Sequence, residues 1–195
     1  TRDHERKFKR VSMADLMTET NYLNPDVEVI AEINSRESFE SFAQVLNTGH
    51  GVVGTTHAED VETLVNRAVE QGVPAYLLRE VDLVVFPRHV DGDRYVGEVV
   101  EFVDGPDDAT ETIEKDDGAV HFRRVAERDP GAEDSYSFRG AEDVRFLDAL
   151  AARTDRPVAD VHDEFAQKRR YVEYLHREGV SDFDDLFGLL SDLRT

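Results

Sequence analysis

The stretch VEVIAEINSRESFESFAQVLNTGHGVVGTTHAED, residues 27–60, decides the fold. Residues 27–33 read as a strand with Val27, Val29, Ala31 and Ile33 on one face. Residues 35–49 read as a helix: Phe39, Phe42 and Leu46 recur at helical spacing, and Gly49 supplies the stop. Residues 51–57 form a short β-branched run, which predicts a buried strand. Glu32 then lies at the carboxyl end of the first strand and His57 at that of the second, with His50 on the loop between helix and strand. In open α/β sheets ligands bind outside the carboxyl ends of the strands. A carboxylate there can orient a water or reach a Mg²⁺ shell, and imidazoles can hydrogen-bond a phosphate. The residues alone leave other readings open. Glu32 can be an exposed strand-end acid, and the histidines can be satisfied core residues or two ligands of a metal. Glu28, in mid-strand, either faces solvent on an edge or pairs with a cation.

Outward from this stretch the alternation continues. Residues 11–19 predict a helix with Ser12 as N-cap and Asp15 in the capping-box position. Residues 24–26 form an Asn-Pro-Asp turn. Residues 58–72 predict a helix closed by Gly72, and Pro74 opens a short helix to about Arg79. Residues 81–87 predict a strand ended by Pro87, and Asp91-Gly92 is a hairpin signal before a strand to Val103. Alternating strands and helices favour an α/β core with a mixed sheet. Residues 104–118 read as an acidic loop, 119–127 as a returning strand and 128–140 as another loop. Helices follow at 141–154, 157–179 and 181–193, the last with Ser181 as N-cap. The predicted organisation is a core over 1–103, acidic loops with a possible hairpin strand over 104–140, and a helical tail over 141–195.

The chain has 195 residues, 39% hydrophobic, with 43 acidic against 23 basic side chains and a formal net charge of −20. Acid excess with few lysines, on a chain rich enough in apolar residues for a core, points to a high-salt cytoplasm, where screening shortens self-repulsion. A strongly acidic surface argues against a nucleic-acid partner. The sequence has no cysteine, so disulfides and thiolate metal sites are excluded. No apolar run or leader pattern stands out, so the expectation is a cytoplasmic protein; a first residue other than Met points to a fragment.

The order Asn24-Pro25-Asp26, an apolar strand ending in Glu32, Glu37 opening the next helix, then Thr48-Gly49-His50 and Thr55-Thr56-His57 resembles the secretion ATPase superfamily. These are the motors of type II and type IV secretion, type IV pili and the archaellum. Ser12-Met13-Ala14-Asp15-Leu16 and the tail 167–190 are similar to archaeal members. The resemblance implies the C-terminal portion of a RecA-like P-loop NTPase domain followed by a helical tail. It implies hexameric rings that bind ATP and Mg²⁺ and act with a membrane platform protein at the inner face of the cell membrane. By carry-over, Glu32 matches the Walker B glutamate, as catalytic residue and support for Mg²⁺. His50 and His57 form a histidine box facing the γ-phosphate, and Glu37, Thr48, Gly49 and Thr55 complete the nucleotide-binding set.

The match has gaps. No Gly-x-x-x-x-Gly-Lys-Ser/Thr run occurs in the sequence, and that loop cradles phosphates; the fragment alone is expected not to hydrolyse ATP or hold nucleotide tightly. Ala31 stands for the Walker B glycine and Asn34 for the following arginine, although Arg36 is near. Two further arginines before the strand are missing. The alternative to a motor is a non-catalytic, divergent paralogue acting as a ring or adaptor protein.

Overall fold

The computed structural model describes residues 11–49, 51–129, 131, 135–140 and 143–192. Two compact units divide the chain, Thr1–Arg139 and Gly140–Thr195.

In the first unit, α1 spans Met13–Leu23. Its start is the expected capping box: the Asp15 N–H donates to Ser12 Oγ at 3.1 Å and the Ser12 N–H donates to Asp15 Oδ2 at 2.9 Å. Asn24, at φ +47°, turns the chain into β1, Val27–Ile30. The helix α2, Arg36–Leu46, is opened by Ser35, whose side chain accepts the Ser38 N–H. It crosses to β2, Gly51–Gly54, which lies parallel to β1 with Val27 opposite Gly51 and Ile30 opposite Gly54. Helix α3, Val61–Glu70, follows, and then a 3₁₀ segment, Ala75–Glu80, behind Pro74.

Two details of the opening stretch are corrected. β1 buries Glu28 and Ile30, whereas Val27 and Val29 are exposed. Both parities of this strand carry apolar side chains, so alternation alone does not name the inner face; the core takes Ile30 and, beyond the strand, Ile33. Glu28 is 5% exposed, which removes the reading of a solvent-facing edge residue. β2 is not buried: Val53 is exposed and Val52 half-buried. It pairs with β1 alone in a two-stranded sheet, so nothing in that sheet shields its outer edge.

A second sheet is antiparallel, in the order β3-β4-β6-β5, with β7 also on β6. β3, Leu83–Val90, does not end at Pro87. It is an edge strand whose register shifts between Phe86 and Pro87, a place where a missing N–H is tolerated. Asp91 and Gly92, at φ +53° and +94°, turn it tightly into β4, Asp93–Val103. The expected acidic loop contains β5, Glu111–Lys115, which pairs with β6, Gly118–Arg128. The loop after β6 contains β7, Tyr136–Phe138. Their acids have local partners: Arg123 pairs with Asp107, and Arg124 bridges Glu98, at 3.2 Å, and Glu111. These arginines therefore bind acids of the sheet and of the loop before β5. Phe39 and Val45 of α2, Val61, Val65 and Ala68 of α3, and Ile30 of β1 join Phe86, Val100, Phe102, Val120 and Phe122 of the second sheet in one core.

The second unit is helical. α4, Arg145–Arg153, and α5, Val158–Arg177, pack through Leu147, Ala151 and Val161, with the Phe146 and Phe165 rings edge to face at 6.5 Å. α6 spans Phe183–Asp192. Its cap is Asp182, not Ser181: Asp182 Oδ1 accepts the Asp184 N–H at 2.9 Å. Lys168 and Arg169 pair along α5 with Glu164 and Glu173.

Candidate functional site

β1 and β2 run parallel, so their carboxyl ends point the same way and the residues that follow are neighbours. Backbone and hydroxyl bonds continue the pairing past both strands. The Thr55 N–H donates to the Ile30 carbonyl at 3.3 Å, and the Ile33 N–H donates to the Thr55 carbonyl at 2.7 Å. Thr55 Oγ1 donates to the Ala31 carbonyl and Thr56 Oγ1 to that of Ile33 at 2.7 Å. Threonine fits here because its β-branch suits extended backbone and its hydroxyl reaches a carbonyl on the adjacent segment.

The result is that Glu32 and His57, 25 positions apart in sequence, meet: Glu32 Oε1 lies 3.2 Å from His57 Nε2. Asn34 Nδ2 donates to the same Glu32 oxygen. Both partners are open to solvent, with side-chain exposures of 60% for Glu32 and 77% for His57. A pair this exposed contributes little to stability. The pair lies just past the ends of the parallel strands, with both groups open to solvent.

The remaining sequence-predicted residues have separate places. Glu37 lies in the first turn of α2, exposed. Thr48 donates its hydroxyl to the Val45 carbonyl at 2.7 Å, closing α2. Gly49, at φ +80°, has open space where a Cβ would stand, and its left-handed backbone accounts for the glycine. Thr55 has the inter-segment role given above. His50 lies outside the described residues. One residue that sequence reasoning missed is Arg67 of α3. It donates from Nη1 to the His57 carbonyl at 2.8 Å and lies 3.4 Å, through Nη2, from the carbonyl and Oδ1 of Asn34. An arginine on an amphipathic helix reads as an ordinary surface cation, and only the fold brings position 67 to positions 34 and 57.

Asp60 accepts the Thr63 N–H at 2.7 Å and so opens α3. This bond, reinforced weakly by the Arg88 charge, holds the Asp60 carboxyl below the usual carboxylate range. Among the described residues no group of three His, Asp or Glu side chains is placed to hold a metal ion by itself. A single carboxylate nevertheless suits Mg²⁺, which keeps several waters and is held mainly by phosphates. Among the described residues no helix is long and apolar enough to cross a membrane.

The first unit is a mixed α/β fold with an acid–imidazole pair just past the ends of two parallel strands, and a family comparison says which proteins it is akin to. The family model for type II/IV secretion system proteins matches residues 6–128, and the chain belongs to that family. Its first unit is thus a secretion ATPase-like domain. A curated relative is an uncharacterised protein of Methanocaldococcus jannaschii, 26% identical over 188 residues; the match covers 94% of this chain. The chain spans 33% of the length of that relative. Among solved structures, the ATPase DotB of Yersinia pseudotuberculosis is similar at 18% identity and a TM-score of 0.35, over 89% of this chain and 39% of that one.

Proposed function

We propose that this chain carries the water-activating side of a nucleotide site in a hexameric motor ATPase, one that drives secretion or pilus or archaellum assembly at the inner membrane face. The phosphate-cradling loop, absent from these 195 residues, is supplied in this reading by an upstream part of a longer protein. The observation that supports it is the 3.2 Å Glu32–His57 pair at the carboxyl ends of β1 and β2.

Phosphoryl transfer depends on positioning and on neutralising developing charge. In this reading Glu32 accepts a hydrogen bond from the attacking water and turns its lone pair toward phosphorus. His57 orients that carboxylate through Nε2 in the resting site and turns the same nitrogen to a terminal phosphate oxygen when nucleotide is present. Bound Mg²⁺ would supply charge neutralisation, with Glu32 the residue beside it. Thr55 acts indirectly, by holding the loop after β1 against the loop after β2. Thr48 and Gly49, which close α2, and Glu37 in its first turn complete with His50 the proposed nucleotide-binding set. The acid-rich composition supports a haloarchaeal setting.

The test is ATP turnover by the full-length gene product in molar KCl, beside Glu32→Gln and His57→Ala. Loss of about a hundredfold or more in kcat in both variants, with folding intact, is the expected outcome. A parent that forms rings and hydrolyses nothing sinks the motor reading and supports a non-catalytic ring or adaptor protein; the arginine replaced by Asn34 favours that second reading.

A further inference from the structure

We propose that Arg67 is a positioning residue that holds Glu32 and His57 together by clamping the two loops on which they ride. The inference rests on the hydrolytic reading above for its consequence, but not for its geometry.

Four residues close a ring through side chains and two main-chain carbonyls. Glu32 contacts His57, Asn34 donates to Glu32, and Arg67 reaches both Asn34 and the His57 carbonyl. The loops themselves are joined as far as Thr56, through its bond to the Ile33 carbonyl. Past that point, at Asn34 and at His57, the joining group is the Arg67 guanidinium. Its planar fork can serve two acceptors at once, which an ammonium on a flexible stem does poorly.

The base of this clamp is rigid. Leu64, Val65 and Ala68, flanking Arg67 on α3, are each under 10% exposed and sit in the core. Asp60 fixes the start of the helix. The Phe39 ring centroid of α2 lies 6.0 Å from the Arg67 guanidinium carbon, at the outer reach of a cation–π contact. Among the described residues Arg67 forms no ion pair, in a chain of net charge −20 where carboxylates are plentiful. Its guanidinium is directed at two main-chain carbonyls belonging to separate loops. A cation placed only for solubility would face the acids.

Arg67 therefore acts through Glu32 and His57 and need not touch nucleotide. The experiment uses the full-length protein with Arg67→Ala, Arg67→Lys and Asn34→Ala, read in two ways. Hydrogen exchange followed by mass spectrometry should show faster exchange at residues 33–35 and 56–58 in both Arg67 variants, with the second sheet unchanged. Turnover should show kcat lowered by about ten- to a hundredfold with KM for ATP unchanged. Arg67→Ala added to Glu32→Gln should cost nothing more, since both act on one group. Asn34→Ala, on an exposed loop, should lower kcat alone if Arg67→Ala fails to fold. Unchanged exchange in the Arg67 variants overturns the clamp, as does full activity of Arg67→Lys or an additive loss with Glu32→Gln. If the parent hydrolyses no ATP, the motor reading fails while the exchange result still decides the clamp.

Discussion

Asp60 shows how one side chain sets both local structure and the frame of the site. Its carboxylate takes the Thr63 N–H, starts α3 and thereby fixes the helix that carries Arg67. Removing such a cap costs about 1 kcal/mol, so Asp60→Ala should lower the thermal midpoint by roughly 2–4 °C at neutral pH. The folded-state pKa is depressed below the ordinary value of 3.8. The contribution is therefore complete above that value and is lost as pH falls through the folded one. Midpoints of parent and variant, compared by circular dichroism from neutral pH downward, should converge in acid. A gap that persists there would remove the charge-assisted account. That Glu32 and His57 meet was legible, because both follow strands that the sequence pattern marks. Arg67 was not, because its partners are backbone carbonyls that have no sequence signature.

Among elements, β1 carries the clearest lesson. Its apolar residues occupy both parities, and the odd set, Val27 and Val29, looked the better inner face; the core instead holds Ile30. Ile30→Ala should cost about 2–5 kcal/mol in denaturant unfolding, and Val29→Ala should stay within about 0.5 kcal/mol. Equal losses would restore the original face. The helices α2, α3 and α5 were legible from 3.6-residue periodicity and their caps. β5 and β7 were not: Glu111-Thr112-Ile113-Glu114-Lys115 is short, polar and set within an acidic stretch, and it is a strand through its pairing with β6, beside which Arg124 binds Glu111. Pro87 misled for a related reason. It ends a central strand but is tolerated on an edge, and edge position is a property of the assembled sheet.

At the scale of the whole molecule, charge dominates. Forty-three acids against 23 basic groups leave the folded chain repelling itself at low salt. At 1 M salt the screening length falls to about 3 Å. The thermal midpoint should therefore rise steadily between dilute and molar KCl, and a midpoint indifferent to salt would argue against a high-salt origin. A different consequence follows from how the two sheets are wired. β3 and β4 close on the Asp91-Gly92 turn, and β5 and β6 on Asp116-Asp117, whereas Val27 finds Gly51 only after α2 has been laid between them. Contacts between nearby residues form before distant ones, because closing a long loop costs more chain entropy. During refolding the hairpins should gain exchange protection first, and the parallel β1–β2 pairing that brings Glu32 to His57 should follow them. Pulse-labelled exchange would record that order, and simultaneous protection of both sheets would refute it. The pair proposed to act on nucleotide would then form only once both hairpins are in place.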